Sequence, residues 1–155
     1  MKLQKLIYYC QSFHLALCDK TLFHEPIEAW PHGPVYPAPY HNLKYLGSLP
    51  VTVIADCASS LADSEKEIVR LVYDKYGQYS AGKLRQMTRD ESPWKNAARG
   101  DGISKDAIKN FFARSHIHII VPPEDTPPLA EEEKRIVAAA LEELETSGFD
   151  LSTVR

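Results

Sequence analysis

Four prolines fall within nine residues, Pro31-His-Gly-Pro-Val-Tyr-Pro-Ala-Pro39, and no other stretch of the chain restricts its own backbone so strongly. Each proline fixes its φ and removes an amide donor, which excludes the stretch from a central strand and from a helix interior. The pattern predicts a stiff loop. Trp30, Tyr36 and Tyr40 flank it, and Gly33 allows a turn that a side chain would block. Large aromatics on stiff backbone lose little entropy on binding and so suit a partner surface. Tryptophan is also mostly a core residue; a loop with Trp30 inside and Tyr36 outside satisfies both demands. The PxxP spacings Pro31 to Pro34 and Pro34 to Pro37 lack the Arg or Lys expected of an SH3 ligand.

Helical periodicity dominates the rest. Leu3, Leu6, Ile7, Cys10, His14 and Leu17 recur at helical spacing over Lys2 to Cys18, with Lys2, Gln4, Lys5 and Gln11 at other positions, and Asp19-Lys20-Thr21 ends the pattern. Ile27 to Trp30 predicts a short extended segment, Tyr40 to Leu46 a short helix ended at Gly47, and Val51 to Ala55 a strand. Ser64 and Glu67 fit a capping box for a helix carrying Ile68, Leu71, Val72 and Tyr76. Ser80 caps a helix with Leu84 and Met87 inward, and Ser104 caps one with Ile108, Phe111 and Phe112. Beyond these, His116 to Val121 predicts a strand. A final helix starts near Pro127, with Ile136, Val137, Ala140, Leu141 and Leu144 on its apolar stripe and Gly148 as its stop. The expected fold is mainly α (α+β): a compact single domain of helices with a small sheet or hairpin of two or three short strands. Residues 1–114 form its body, and residues 115–155 pack a strand and an acidic helix onto it.

A chain of 155 residues buries about 70% of its unfolded surface without staples. Three cysteines without framework spacing read as reduced thiols, and no apolar run approaches the ~20 residues of a membrane span. A soluble cytoplasmic protein is expected. The net charge of −3 divides into −1 over residues 1–82, +4 over 83–114 and −6 over 115–155. Either the basic and acidic parts face each other across the fold, or they form an electrostatic docking surface for a partner of opposite sign. Nucleic acid is disfavoured, since its binders show a basic excess over the whole domain.

No assembled reaction centre is visible: GxSxG, HExxH, GxxxxGK[ST] and GxGxxG motifs are all missing. Cys10, His14 and Cys18 share one helical stripe, with His24 or His32 available as a further ligand. Eight residues of helix span about 12 Å, so the two thiols cannot reach one ion at zinc distances. Packing explains that stripe better, and His116-x-His118 has no carboxylate or thiol close in sequence. No metal, cofactor or catalysis is expected.

Met87-Thr-Arg-Asp-Glu-Ser-Pro-Trp94 is a second unusual segment, where Ser92-Pro93 breaks a helix and Trp94 anchors the next. Together with Leu3-Gln-Lys-Leu-Ile-Tyr-Tyr9, Glu28-Ala-Trp30 leading into Gly33-Pro-Val35, and Leu84-x-x-x-Thr88, it resembles the Panacea domain, also called the SocA-like or GepA-like antitoxin domain, over roughly residues 2–112. Ile103 and Phe111-Phe112 fit the usual end of that pattern. The resemblance implies an antitoxin of a bacterial or phage toxin–antitoxin system that binds and neutralises a cognate toxin protein and is not an enzyme. It also leaves open a proteolytic adaptor that delivers the toxin to an ATP-dependent, Clp-type protease, or a phage-associated regulatory protein. Two features depart from the family: few residues precede Leu3, and the His116–Arg155 extension lies beyond the shared pattern. Partner-binding candidates are Trp30, Gly33, Pro34, Val35, Tyr36, Tyr40, Pro93 and Trp94, with the proline loop and the Ser92-Pro93-Trp94 turn shaping a platform for surface-facing aromatics.

Overall fold

The computed structural model describes residues 1–47, 49 and 61–115; the strands expected at Val51–Ala55 and His116–Val121 and the final acidic helix lie outside the described residues. Helix α1 (Lys2–Cys18) is followed by strands β1 (Glu28–Trp30) and β2 (Gly33–Val35), helix α2 (Pro37–Leu43) and a 3-10 turn at Lys44–Leu46. Then come α3 (Asp63–Tyr76), α4 (Ala81–Asp90), α5 (Ser92–Lys95) and α6 (Lys105–Ser115). The fold is mainly helical with one small antiparallel sheet among the described residues.

Helix α1 has the predicted bounds, and Asp19 ends it with φ 51°, a left-handed conformation that aspartate tolerates. Its burial differs from the one-sided pattern expected. Leu3 is exposed, whereas Gln4, Lys5 and Gln11 are buried and Tyr8, Tyr9 and Phe13 are almost wholly enclosed. The reason is topological: α1 packs against α3, α4, α6 and β2, so nearly its whole circumference is core. Its buried glutamines and Lys5 are accommodated because each serves a backbone group of another segment, while Ser12 donates to the Tyr8 carbonyl within the helix. Gln11 accepts from the Leu22 and Phe23 amides at 2.8 and 3.1 Å, and Gln4 accepts from the Tyr36 amide at 2.8 Å. Around them the core is aromatic: Tyr9 stacks on Tyr76 with centroids 4.0 Å apart, and Phe112 meets Tyr8, Tyr9 and Phe13 edge-on.

The other helices begin largely as their caps dictate. Ser80 Oγ accepts from the Lys83 amide at 3.2 Å, and Ser104 Oγ from the Ala107 amide at 3.4 Å. Helix α3 instead starts at Asp63, ahead of the predicted Ser64 cap. Ala62 stands at the cap position, where it has no side-chain oxygen to offer; Glu65 supplies the returning half of the motif by accepting from the Ala62 amide at 2.8 Å.

The proline stretch is more ordered than the stiff loop expected of it. Gly33–Val35 is a strand, and α2 begins at Pro37. Both placements obey the restriction on proline. Pro34 lies opposite Ala29, whose amide and carbonyl bond to Asp101 O and Gly100 N on its other side, so nothing at that register needs a donor from Pro34. Pro37 and Pro39 occupy the first turn of α2, where amides have no helical partner in any case.

Candidate partner-binding site

The site is built from the β1–β2 hairpin, the start of α2 and the α4–α5 junction. Pro31 and His32 form a two-residue turn between the paired Trp30 and Gly33. Gly33 has φ 98°, and a Cβ there would approach Lys5 Nζ to 2.9 Å and Thr88 Oγ1 to 3.0 Å. The residue must therefore be glycine for conformation and for space.

Lys5 is 1% exposed and donates from Nζ to the Pro34 carbonyl at 2.7 Å, which fastens β2 onto α1. Burial, with the nearby Arg85 charge, lowers its pKa to about 8. Thr88 is buried beside it and donates to the Leu84 carbonyl at 2.9 Å.

Glu91 joins α4 to α5 and is buried. The hydroxyls of Tyr8 and Tyr9 donate to its two carboxylate oxygens, each at 2.9 Å. Burial pushes the Glu91 pKa up to about 7 despite those two hydrogen bonds, with a further push from Asp90. The same enclosure drives both tyrosine pKa values well above the ordinary range. This arrangement holds the α4–α5 turn against α1 and so positions Trp94.

Trp94 is 4% exposed. Its Nε1 donates to the Trp30 carbonyl at 3.0 Å, which ties the two tryptophan segments together. The guanidinium carbons of Arg99 and Arg89 lie 3.7 and 5.1 Å from its ring centroid. Trp30 is half-buried: its Nε1 donates to Glu28 Oε2 at 2.7 Å, and its ring meets Tyr40 edge-on at 4.9 Å and His41 at 6.4 Å. Tyr40 is 37% exposed and Tyr45, on the following turn, 76%. Tyr36 is half-buried; its ring stacks on Phe23 at 4.4 Å and its hydroxyl donates to Glu25 at 2.5 Å.

A match to the protein-family model described as Antitoxin SocA-like, Panacea domain, spans residues 3–95, from the first turn of α1 to the end of α5. The chain belongs to the SocA-like antitoxin family. Neither the curated proteins nor the solved structures gave a match. The matched segment of this Panacea domain contains every residue of the hairpin and of the α4–α5 junction, and it stops before α6, although α6 completes the same core.

The predicted site residues divide by burial. Gly33, Pro34, Val35, Pro93 and Trp94 are enclosed and act as framework, while Trp30, Tyr36 and Tyr40 retain surface. Trp30 is brought onto Tyr40 and Trp94, whereas the ring of Tyr36 stacks on Phe23. Neither spacing nor motif singles out Lys5, Glu91, Arg89 and Arg99 in the sequence. Lys5 lies within the quoted Leu3–Tyr9 segment, and a lysine amid that many apolar neighbours was the available signal. On the Cys10 stripe, burial raises the thiol pKa to about 12 and His14 Nδ1 lies 2.7 Å from the Lys20 carbonyl. No group of three or more His, Cys, Asp or Glu placed to hold a metal occurs among the described residues. No described helix is long and apolar enough to cross a membrane.

Proposed function

We propose that this chain is an antitoxin that works by binding a cognate toxin protein and holding it inactive, without chemistry of its own. The observation that carries the reading is the family match over residues 3–95, which takes in the whole hairpin–α2 and α4–α5 surface. Membership of an antitoxin family supports a toxin partner. The half-exposed Trp30–Tyr40 pair on proline-stiffened backbone supports a protein surface as the means of recognition. Buried Gly33, Pro34, Val35, Pro93 and Trp94 serve this role indirectly, by fixing where those rings stand.

Co-expression with the product of the adjacent open reading frame tests the proposal. A growth arrest caused by that product and relieved by this chain, with the two proteins co-purifying in fixed ratio, is the expected result. A neighbour that arrests nothing, or relief without any complex, overturns it. Loss of the toxin in the presence of an ATP-dependent protease would instead identify an adaptor that delivers its partner for degradation.

A further inference from the structure

Resting on the reading that the domain binds a toxin protein, we propose that Arg89 and Arg99, held against Trp94, and Arg85, one turn earlier on α4, form the face that receives an acidic segment of that partner. Among the described residues, Lys95, between Arg89 and Arg99 in sequence, finds a carboxylate, whereas none of these three arginines does, a state they share with several other described cations such as Arg70 and Lys83. Arg89 Nε is moreover buried with no hydrogen-bond partner. Three acids of these segments are already engaged: Asp90 with Lys95, Glu91 with Tyr8 and Tyr9, and Glu28 with Trp30 Nε1.

The aromatic ring explains how the cations are held. Trp94 positions the guanidiniums of Arg99 and Arg89 at 3.7 and 5.1 Å without neutralising them, and Arg99 Nη1 also donates to the Trp94 carbonyl at 3.4 Å. Arg85 lies one turn before Arg89 on α4, close enough to Lys5 to depress its pKa, so a fourth positive group stands behind the face. A planar guanidinium held in place keeps its donor fork for a carboxylate and loses little further entropy when one arrives. The Trp94–Trp30 hydrogen bond makes this face continuous with the Trp30–Tyr40 rings. The complementary partner surface is therefore acidic side chains beside an apolar patch. A polypeptide fits better than nucleic acid, because the chain carries a net charge of −3 and nucleic-acid binding domains are usually basic overall.

The test uses the full chain, a fluorescent ten-residue glutamate peptide, and the neighbouring gene's product. The peptide should bind saturably and more weakly as salt rises. The Arg89→Gln/Arg99→Gln double variant should weaken it by about tenfold or more. Arg99→Gln alone, at an exposed position, should account for part of that loss with an unchanged circular dichroism spectrum, and the Lys/Lys variant should recover part of it. Absence of peptide binding, equal binding by all variants, or tighter binding of a labelled DNA oligonucleotide would overturn the arginine face. A toxin held equally by wild type and double variant also overturns it, yet leaves the antitoxin reading intact. Failure of the wild type to hold any toxin removes that reading, and the peptide titration still decides whether the face receives carboxylates.

Discussion

The two tryptophans occupy adjacent positions in the fold and do different work. Trp94 is enclosed, its indole N–H reaches the Trp30 backbone, and two arginines lie against its ring. Trp30 lends its carbonyl to that bond, while its own ring stays half-buried against Tyr40 and its N–H holds an acidic side chain of its own strand. A ring enclosed in this way fixes two chain segments relative to each other; a ring left half-open contributes less to stability and remains available to a partner. Truncation separates the roles. Trp94→Ala removes a nearly complete burial and should cost about 3–5 kcal/mol in urea unfolding, whereas Trp30→Ala should cost roughly 1–2 kcal/mol. Equal losses would erase the distinction.

Glu91, which sets the position of Trp94, has a second signature. Its carboxyl is held near pKa 7 in the fold against an ordinary 4.5. Between those values the folded chain keeps a proton that the unfolded chain releases, so this group's contribution to stability is fully present below about pH 4.5 and disappears as pH rises through 7. The size of the loss is on the order of 3 kcal/mol. Glu91→Gln remains able to bond with the tyrosine hydroxyls and lacks the titration. Its stability relative to wild type should therefore rise between pH 5 and pH 8, and parallel pH profiles for the two proteins would refute the assignment.

Gly33 links the two regions and predicts a smaller effect. Alanine there meets an unfavourable φ of 98° and the Lys5 and Thr88 side chains at about 3 Å. A loss of at least about 1–2 kcal/mol is expected, with hydrogen exchange accelerated first in the hairpin amides. A variant as stable as wild type would mean that the hairpin does not depend on its closeness to α1.

How much of this was legible depended on the distance over which each cause acts. The ends of α1, the caps at Ser80 and Ser104 and the stop at Gly47 were readable because their causes lie within a turn of chain. The rule against proline in helix interiors and central strands also held, but Pro34 and Pro37 occupy the exceptions that the same rule allows, an unbonded register and a first turn. Lys5, Gln4 and Gln11 fall outside the apolar spacing of α1, and what buries them is out of local reach, because their partners at Pro34, Tyr36 and Phe23 are 12 to 32 positions away. Periodicity carries no information about such pairings. The arginines around Trp94 were hidden for the same reason: a +4 net charge over residues 83–114 does not reveal which cations lack an acid.

The smallest expected change in stability belongs to Tyr40, and it bears most directly on function. Its ring touches Trp30 from the open side and is 37% exposed, so Tyr40→Ala should change unfolding stability by about 0.5 kcal/mol or less. Tyr36→Ala should cost more, because that ring stacks on Phe23 and its hydroxyl holds Glu25. If the open half of the tryptophan pair is the recognition surface, Tyr40→Ala weakens relief of toxin arrest at nearly wild-type stability. Trp94→Ala would weaken relief partly by unfolding the domain, a part that should diminish at lower temperature, and partly by releasing the arginines its ring holds, whereas the defect of Tyr40→Ala should not depend on temperature in this way. Full relief by a stable Tyr40→Ala protein would place recognition elsewhere and leave both tryptophans as framework.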